Sequence, residues 1–152
     1  MSGLMLAALL LAQTATAPGT VVRTQCDATA FLSARHYEDW FLPYDVRICE
    51  SVDYSIIHLH SCSLHTVDAL LRVERQAAHA DVGLGDVGTA IQITLETGTK
   101  MPSLAEMLPT FAKILAARPL LIEGPLSEEE VRWLQEQLPP GGLGITARRT
   151  PW

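Results

Sequence analysis

Basic residues are scarce in this chain: 11 Lys and Arg stand against 17 Asp and Glu, giving a formal net charge of -6. Binding a phosphate backbone or an anionic membrane takes a concentrated basic patch. The pair Arg148-Arg149 is too small to form one, so neither nucleic acid nor membrane is an expected partner. Cysteine is sparse too. Cys26, Cys49 and Cys62 are an odd set at irregular spacing, unlike the even framework of a small secreted domain. Reduced thiols and a cytoplasmic location are the expectation.

A basic leader is also missing. Leu4 to Ala12 is apolar and Ala15-Thr16-Ala17 has the small residues of a cleavage site, but no Lys or Arg precedes the run, as a signal peptide requires. The run is too short to span a bilayer. Residues 1–19 are expected to form the tail of a buried helix, with a signal peptide as the alternative. There is no low-complexity segment and no inter-domain linker.

What is present is a core. Hydrophobic residues make up 48% of the 152 and charged residues 18%, a composition that gives one folded domain rather than a disordered chain. Strand candidates are Thr20 to Cys26, Ser55 to His60, Ala90 to Leu95, Pro119 to Glu123 and Leu143 to Ala147. Helical patterns fall between them. Ser33 can cap a helix carrying Trp40, Phe41, Tyr44, Ile48 and Val52, and Leu64 to Val73 carries Val67, Leu70 and Leu71 on one side. Ser103-Leu104-Ala105-Glu106 and Ser127-Glu128-Glu129-Glu130 are capping boxes, each opening a helix. Residues 76–89 hold three glycines without periodicity and read as a loop. Alternating strands and helices predict βαβ units and a parallel sheet.

The strands themselves are two-faced. Ile57 and Leu59 oppose His58 and His60; Ile91, Ile93 and Leu95 oppose Gln92, Thr94 and Glu96; Arg23, Gln25 and Asp27 fall together. A sheet covered by helices on both sides gives nearly continuous apolar strands. One polar face, charged toward the carboxyl ends, suits a barrel with its site at that mouth. The expected fold is therefore α/β: part of a (β/α)8, TIM-like barrel with about five parallel strands and intervening helices.

The stretch Ser55-Ile56-Ile57-His58-Leu59-His60-Ser61-Cys62 resembles a strand and loop of the uroporphyrinogen decarboxylase superfamily, which includes cobamide-dependent methyltransferases. Val21-Val22-Arg23-Thr24-Gln25-Cys26-Asp27, Phe41 to Ile48, Leu104 to Pro109 and Leu121 to Leu126 extend the resemblance over Thr20 to Ala147. It implies that residues 20–152 are the C-terminal part of such a barrel, inactive alone, and that the whole is a carboxy-lyase or a methyltransferase acting on a small molecule. Pairing with itself or with a partner barrel half is expected, and the inward residues Arg23, His58, Gln92 and Glu123 should be less covered than in a closed barrel.

In the decarboxylase version no cofactor is needed. Asp27 and Arg23 are the candidate catalytic acid and carboxylate clamp, and His58, His65 and Glu123 are the candidate substrate-binding residues. In the methyltransferase version the resemblance implies zinc on His60, Cys62 and Glu96, although the later cysteine of those relatives has no counterpart among Ala147 to Thr150. A non-catalytic barrel half acting by self-association is the further alternative. Glu106, Glu128, Glu129 and Glu130 are helix-start charges without chemistry. His36 and His79 read as surface, and Cys26 and Cys49 as structural.

Overall fold

The computed structural model describes residues 19–72, 89–98 and 101–148. Strands β1 (Val21–Gln25), β2 (Tyr54–His60), β3 (Thr89–Thr94), β4 (Leu120–Gly124) and β5 (Leu143–Ala147) form one sheet. Every neighbouring pair is parallel, and the order across the sheet is the order along the chain. Each strand lies within a residue or so of where alternation placed it. The expected helix tail at the N-terminus, most of the 76–89 loop and His79 lie outside the described residues. Among the described residues no helix is long and apolar enough to cross a membrane.

Consecutive parallel neighbours joined by crossovers of one hand must carry their helices on one face. The packing has this form. The helices are α1 (Ala34–Trp40), α2 (Leu42–Glu50), α3 (Val67–Leu71), α4 (Leu104–Leu115) and α5 (Glu128–Gln137). Tyr37, Cys49, Val67, Phe111, Ile114 and Leu134 from these helices share a single core cluster with Leu59, Ile91, Ile93 and Ile122 of the sheet. On the opposite face Ile56, Ala90 and Leu121 pack with Val21 and Tyr54, all strand residues. The fold is thus α/β, a five-stranded parallel sheet with a one-sided helix layer, an arrangement compatible with part of a barrel wall.

Local signals set the helix starts. The Ser33 hydroxyl accepts from His36 N at 3.1 Å. Ser103 and Ser127 both close full capping boxes, with Glu106 and Glu130 reaching back to the cap N–H at 2.8 Å. At the other end of α5, Gly142 takes φ +78, which a residue with a Cβ rarely adopts, and its carbonyl starts the next ladder by accepting from Leu120 N.

Two helical expectations change. The helix expected from Ser33 through Val52 is two helices that meet at Phe41, with Pro43 in the first turn of the second. Proline lacks the N–H a continuing helix needs but fits a new start. The apolar set Trp40, Phe41, Tyr44 and Ile48 faces outward, 66%, 45%, 60% and 42% exposed, while Tyr37 and Cys49 make the buried contacts. The segment expected to be helical from Leu64 begins as 3₁₀ turns over Ser61–Thr66 and becomes α-helical only at Val67. There the Thr66 hydroxyl donates to Ser63 O at 2.8 Å, the local side-chain competition that favours tight turns.

The inward residues are unequally covered. Arg23 is exposed, but His58 and Gln92 are each only 3% exposed. Gln92 is covered within a chain of bonds along the sheet. Arg23 Nε donates to Gln92 Oε1 at 2.7 Å, Gln92 Nε2 donates to Glu123 Oε2 at 2.8 Å, and Arg148 Nε donates to Glu123 Oε1 at 2.7 Å.

Close approach of β3 and β4 makes one glycine indispensable. A Cβ on Gly124 would lie 2.6 Å from Leu95 Cβ and 3.3 Å from Leu95 O, where Leu95 N donates to Glu123 O at 2.7 Å. Neither atom can swing away, so Gly124→Ala should lower stability by about 1–3 kcal/mol, the range for an overpacked core. Chemical denaturation checks this: an unchanged midpoint would show that the strands part at no cost.

Candidate functional site

The register of β1 on β2 builds the site. Gln25 pairs with His58, and Cys26 N donates to His58 O at 3.1 Å, carrying the ladder one residue past the strand. Asp27 therefore leaves β1 beside the carboxyl end of β2. His58 and His60, two apart, share the polar face, with ring centroids 4.9 Å apart and edge to face. His60 Nε2 lies 3.1 Å from Asp27 Oδ1 and His58 Nδ1 lies 3.5 Å from the same oxygen. Asp27, His58 and His60 each offer a donor atom within 4.8 Å of the others, a grouping able to hold a metal ion.

The far sides of both rings also face polar groups. His58 Nε2 is 2.8 Å from Thr94 Oγ1, and His60 Nδ1 is 2.8 Å from Glu96 Oε1, out of line for a hydrogen bond. Glu96 is itself anchored, its N–H donating to the buried Ser61 hydroxyl at 3.1 Å. His58 Nδ1 and His60 Nδ1 are buried with no hydrogen-bond partner, which is unusual for polar atoms inside a protein. Burial, seconded by the charges of Arg23 and His60, pushes the His58 imidazole below its ordinary range, with Asp27 and Glu123 opposing. The neutral ring is the form that ligates metals.

The expected residues divide into three places. Asp27, His58 and His60 converge, and Glu96 touches His60. Cys62 is partly buried next to Glu96; burial first, and then its hydrogen bond to Glu96, push the thiol up. Arg23 and Glu123 belong to the adjoining network through Gln92 and Arg148. His65 lies apart, its Nε2 2.8 Å from Leu32 O. Thr94 and Ser61 are not singled out by the sequence, and Gln92 only as an inward residue. Alternation had put Thr94 and Gln92 on the polar face, but nothing in a single strand shows which side chain across the sheet they meet.

A second polar cluster is structural. Tyr37 OH donates to Asp45 Oδ2 at 2.6 Å and Cys26 Sγ donates to the same oxygen at 3.6 Å, tying the end of β1 to α1 and α2. Burial, then the charge of Asp45, pushes the Cys26 thiol up to about 12. The Tyr37 hydroxyl is raised further, by burial and then by its bond to Asp45. Neither group is poised to react at neutral pH, as expected for a structural Cys26. No protein-family model, curated protein or solved structure matches the chain.

Proposed function

We propose that this chain is the C-terminal part of a (β/α)-barrel enzyme of the uroporphyrinogen decarboxylase and methyltransferase type, and that the carboxyl pole of its sheet binds a small, carboxylate-bearing substrate. The observation that supports the reading is the one-sided helix layer on strands in sequential parallel order, with polar residues gathered at the strand ends of the opposite face. In a (β/α)8 barrel that pole is where substrates bind. Five strands are too few to close one, so a partner half or a second copy completes the wall in this reading.

Arg23 is the carboxylate clamp. Its Nε is fixed by Gln92, which aims the guanidinium while its terminal N–H groups remain for a bidentate carboxylate. In the cofactor-free decarboxylase version Asp27 is the acid. Uroporphyrin, a stable polycarboxylate tetrapyrrole, is the probe. Fluorescence titration should give saturable binding that Arg23→Gln weakens at least tenfold, about 1.4 kcal/mol. No saturable binding, or equal binding by Arg23→Gln, would remove the tetrapyrrole reading.

The methyltransferase version is favoured by the contacts of Glu96 with both His60 and Cys62. It needs the Cys62 thiolate on zinc, where the ion would make a substrate thiol nucleophilic. Zinc would then protect Cys62 from a thiol reagent. Labelling at an unchanged rate in saturating zinc would eliminate that ligand set.

A further inference from the structure

We infer that Asp27, His58 and His60 are the ligands of a divalent transition-metal ion, with Glu96 and Thr94 orienting the two imidazoles from behind. The inference deepens the reading of the carboxyl pole as the binding site, but it stands on side-chain geometry and requires neither reaction.

The separations come first. A tetrahedral zinc with ligand distances of about 2.0–2.1 Å holds its ligand atoms about 3.3 Å apart. Asp27 Oδ1 is 3.1 Å from His60 Nε2 and 3.5 Å from His58 Nδ1, so these edges bracket the required value. Without an ion the same geometry is poorly satisfied. The His58 side chain is only 4% exposed, and its Nδ1 has no hydrogen-bond partner. A buried polar atom left unpaired is destabilising, and a metal in that position would remove the deficit.

The outer partners come second. A metal-bound histidine almost always offers its other nitrogen to a carboxylate, a carbonyl or water, which fixes the ring. His60 presents Nε2 to Asp27 and Nδ1 to Glu96; His58 presents Nδ1 to Asp27 and Nε2 to the Thr94 hydroxyl. Each ring thus has one nitrogen turned toward Asp27; the other nitrogen of His58 is hydrogen-bonded to Thr94, and that of His60 lies beside the Glu96 carboxylate. Ser61 fixes the backbone of Glu96, so the carboxylate behind His60 is positioned by the fold.

The donor set defines the ion. Two imidazoles and one carboxylate suit zinc or iron(II) and leave a coordination position for water or substrate. Magnesium, which takes oxygen ligands, does not fit. Asp27 then acts as a ligand rather than as a free acid, and the pole works with a metal. Cys62, adjacent to Glu96 but outside the group, is not a ligand.

The test is equilibrium zinc binding by competition with a chromophoric chelator, using the whole chain at neutral pH. We expect one zinc per chain, not displaced by millimolar magnesium. Asp27→Asn changes an exposed side chain and should fold normally by circular dichroism. It should weaken zinc at least tenfold, as should His60→Gln. Glu96→Gln should weaken it about 10–100-fold, the range for such outer partners, and Cys62→Ser should leave it unchanged. Failure of the wild-type chain to bind zinc, equal affinity in folded Asp27→Asn, or loss of binding in Cys62→Ser would each overturn the assignment. Because zinc alone is the probe, failure to bind uroporphyrin would leave this result standing.

Discussion

Stability should fall with pH above about 9, by about 1.4 kcal/mol for each pH unit between pH 9 and 11 from one thiol alone. The cause is the cluster of Cys26, Tyr37 and Asp45. In the folded chain the Cys26 thiol is raised from about 9 to about 12, and Tyr37 moves upward from about 10. Between pH 9 and 12 the unfolded chain has released the Cys26 proton and the folded chain has kept it. The folded state binds more protons, so stability declines as pH rises, by about 1.4 kcal/mol per pH unit for each group. Below pH 9 the contribution is fully present. Tyr37, also raised, adds to the slope above pH 10. Urea denaturation at half-unit steps from pH 8 to 11 measures it, and Cys26→Ala should reduce the slope between pH 9 and 10 by one proton. A flat profile in the native chain would mean that the thiol and phenol are solvated and that β1 is not tied to α1 and α2 as described.

Phe111→Ala should cost about 3–5 kcal/mol, a large part of the total for a domain whose stability lies in the usual range of about 5–15 kcal/mol. Phe111 is completely buried, on the face of α4 that carries Met107 and Ile114. It packs in the cluster that joins every described helix to the sheet, so its removal leaves a cavity in the core. The cluster sits behind the strands whose ends carry the histidines. The same variant should therefore loosen the pole before it unfolds globally. Thermal and urea denaturation give the magnitude; a loss below about 1 kcal/mol would show that the helix layer is not docked on the sheet.

The strands were legible because burial on one face writes a period of two into them: Ile57 and Leu59 against His58 and His60 required no tertiary information. The capping boxes at Ser103 and Ser127 were legible for a similar reason, since both halves of each interaction lie within four residues. The orientation of the segment around Trp40 was not. Helical spacing shows which residues share a face, but the identity of the covered face depends on the neighbour, and here Tyr37 and Cys49 are covered while Trp40 and Tyr44 are not.

The site followed the same division. Neighbouring strands put His60 near Glu96, as the sequence suggested. The resemblance brought Cys62 into the expected ligand set, although among the described residues the donors grouped within 4.8 Å of one another are those of Asp27, His58 and His60. The position of Asp27 depends on the pairing of Gln25 with His58, a relation between two strands that neither strand encodes by itself. No contact of His65 with this group follows from sequence or structure, and its bond to Leu32 explains its place in the fold.

X-ray absorption on the zinc-loaded chain examines the pole most directly, because it reads the atoms around the ion. The expected spectrum has nitrogen and oxygen neighbours alone, at about 2.0–2.1 Å, with imidazole scattering from His58 and His60. A sulfur neighbour at about 2.3 Å would place Cys62 on the metal and contradict it.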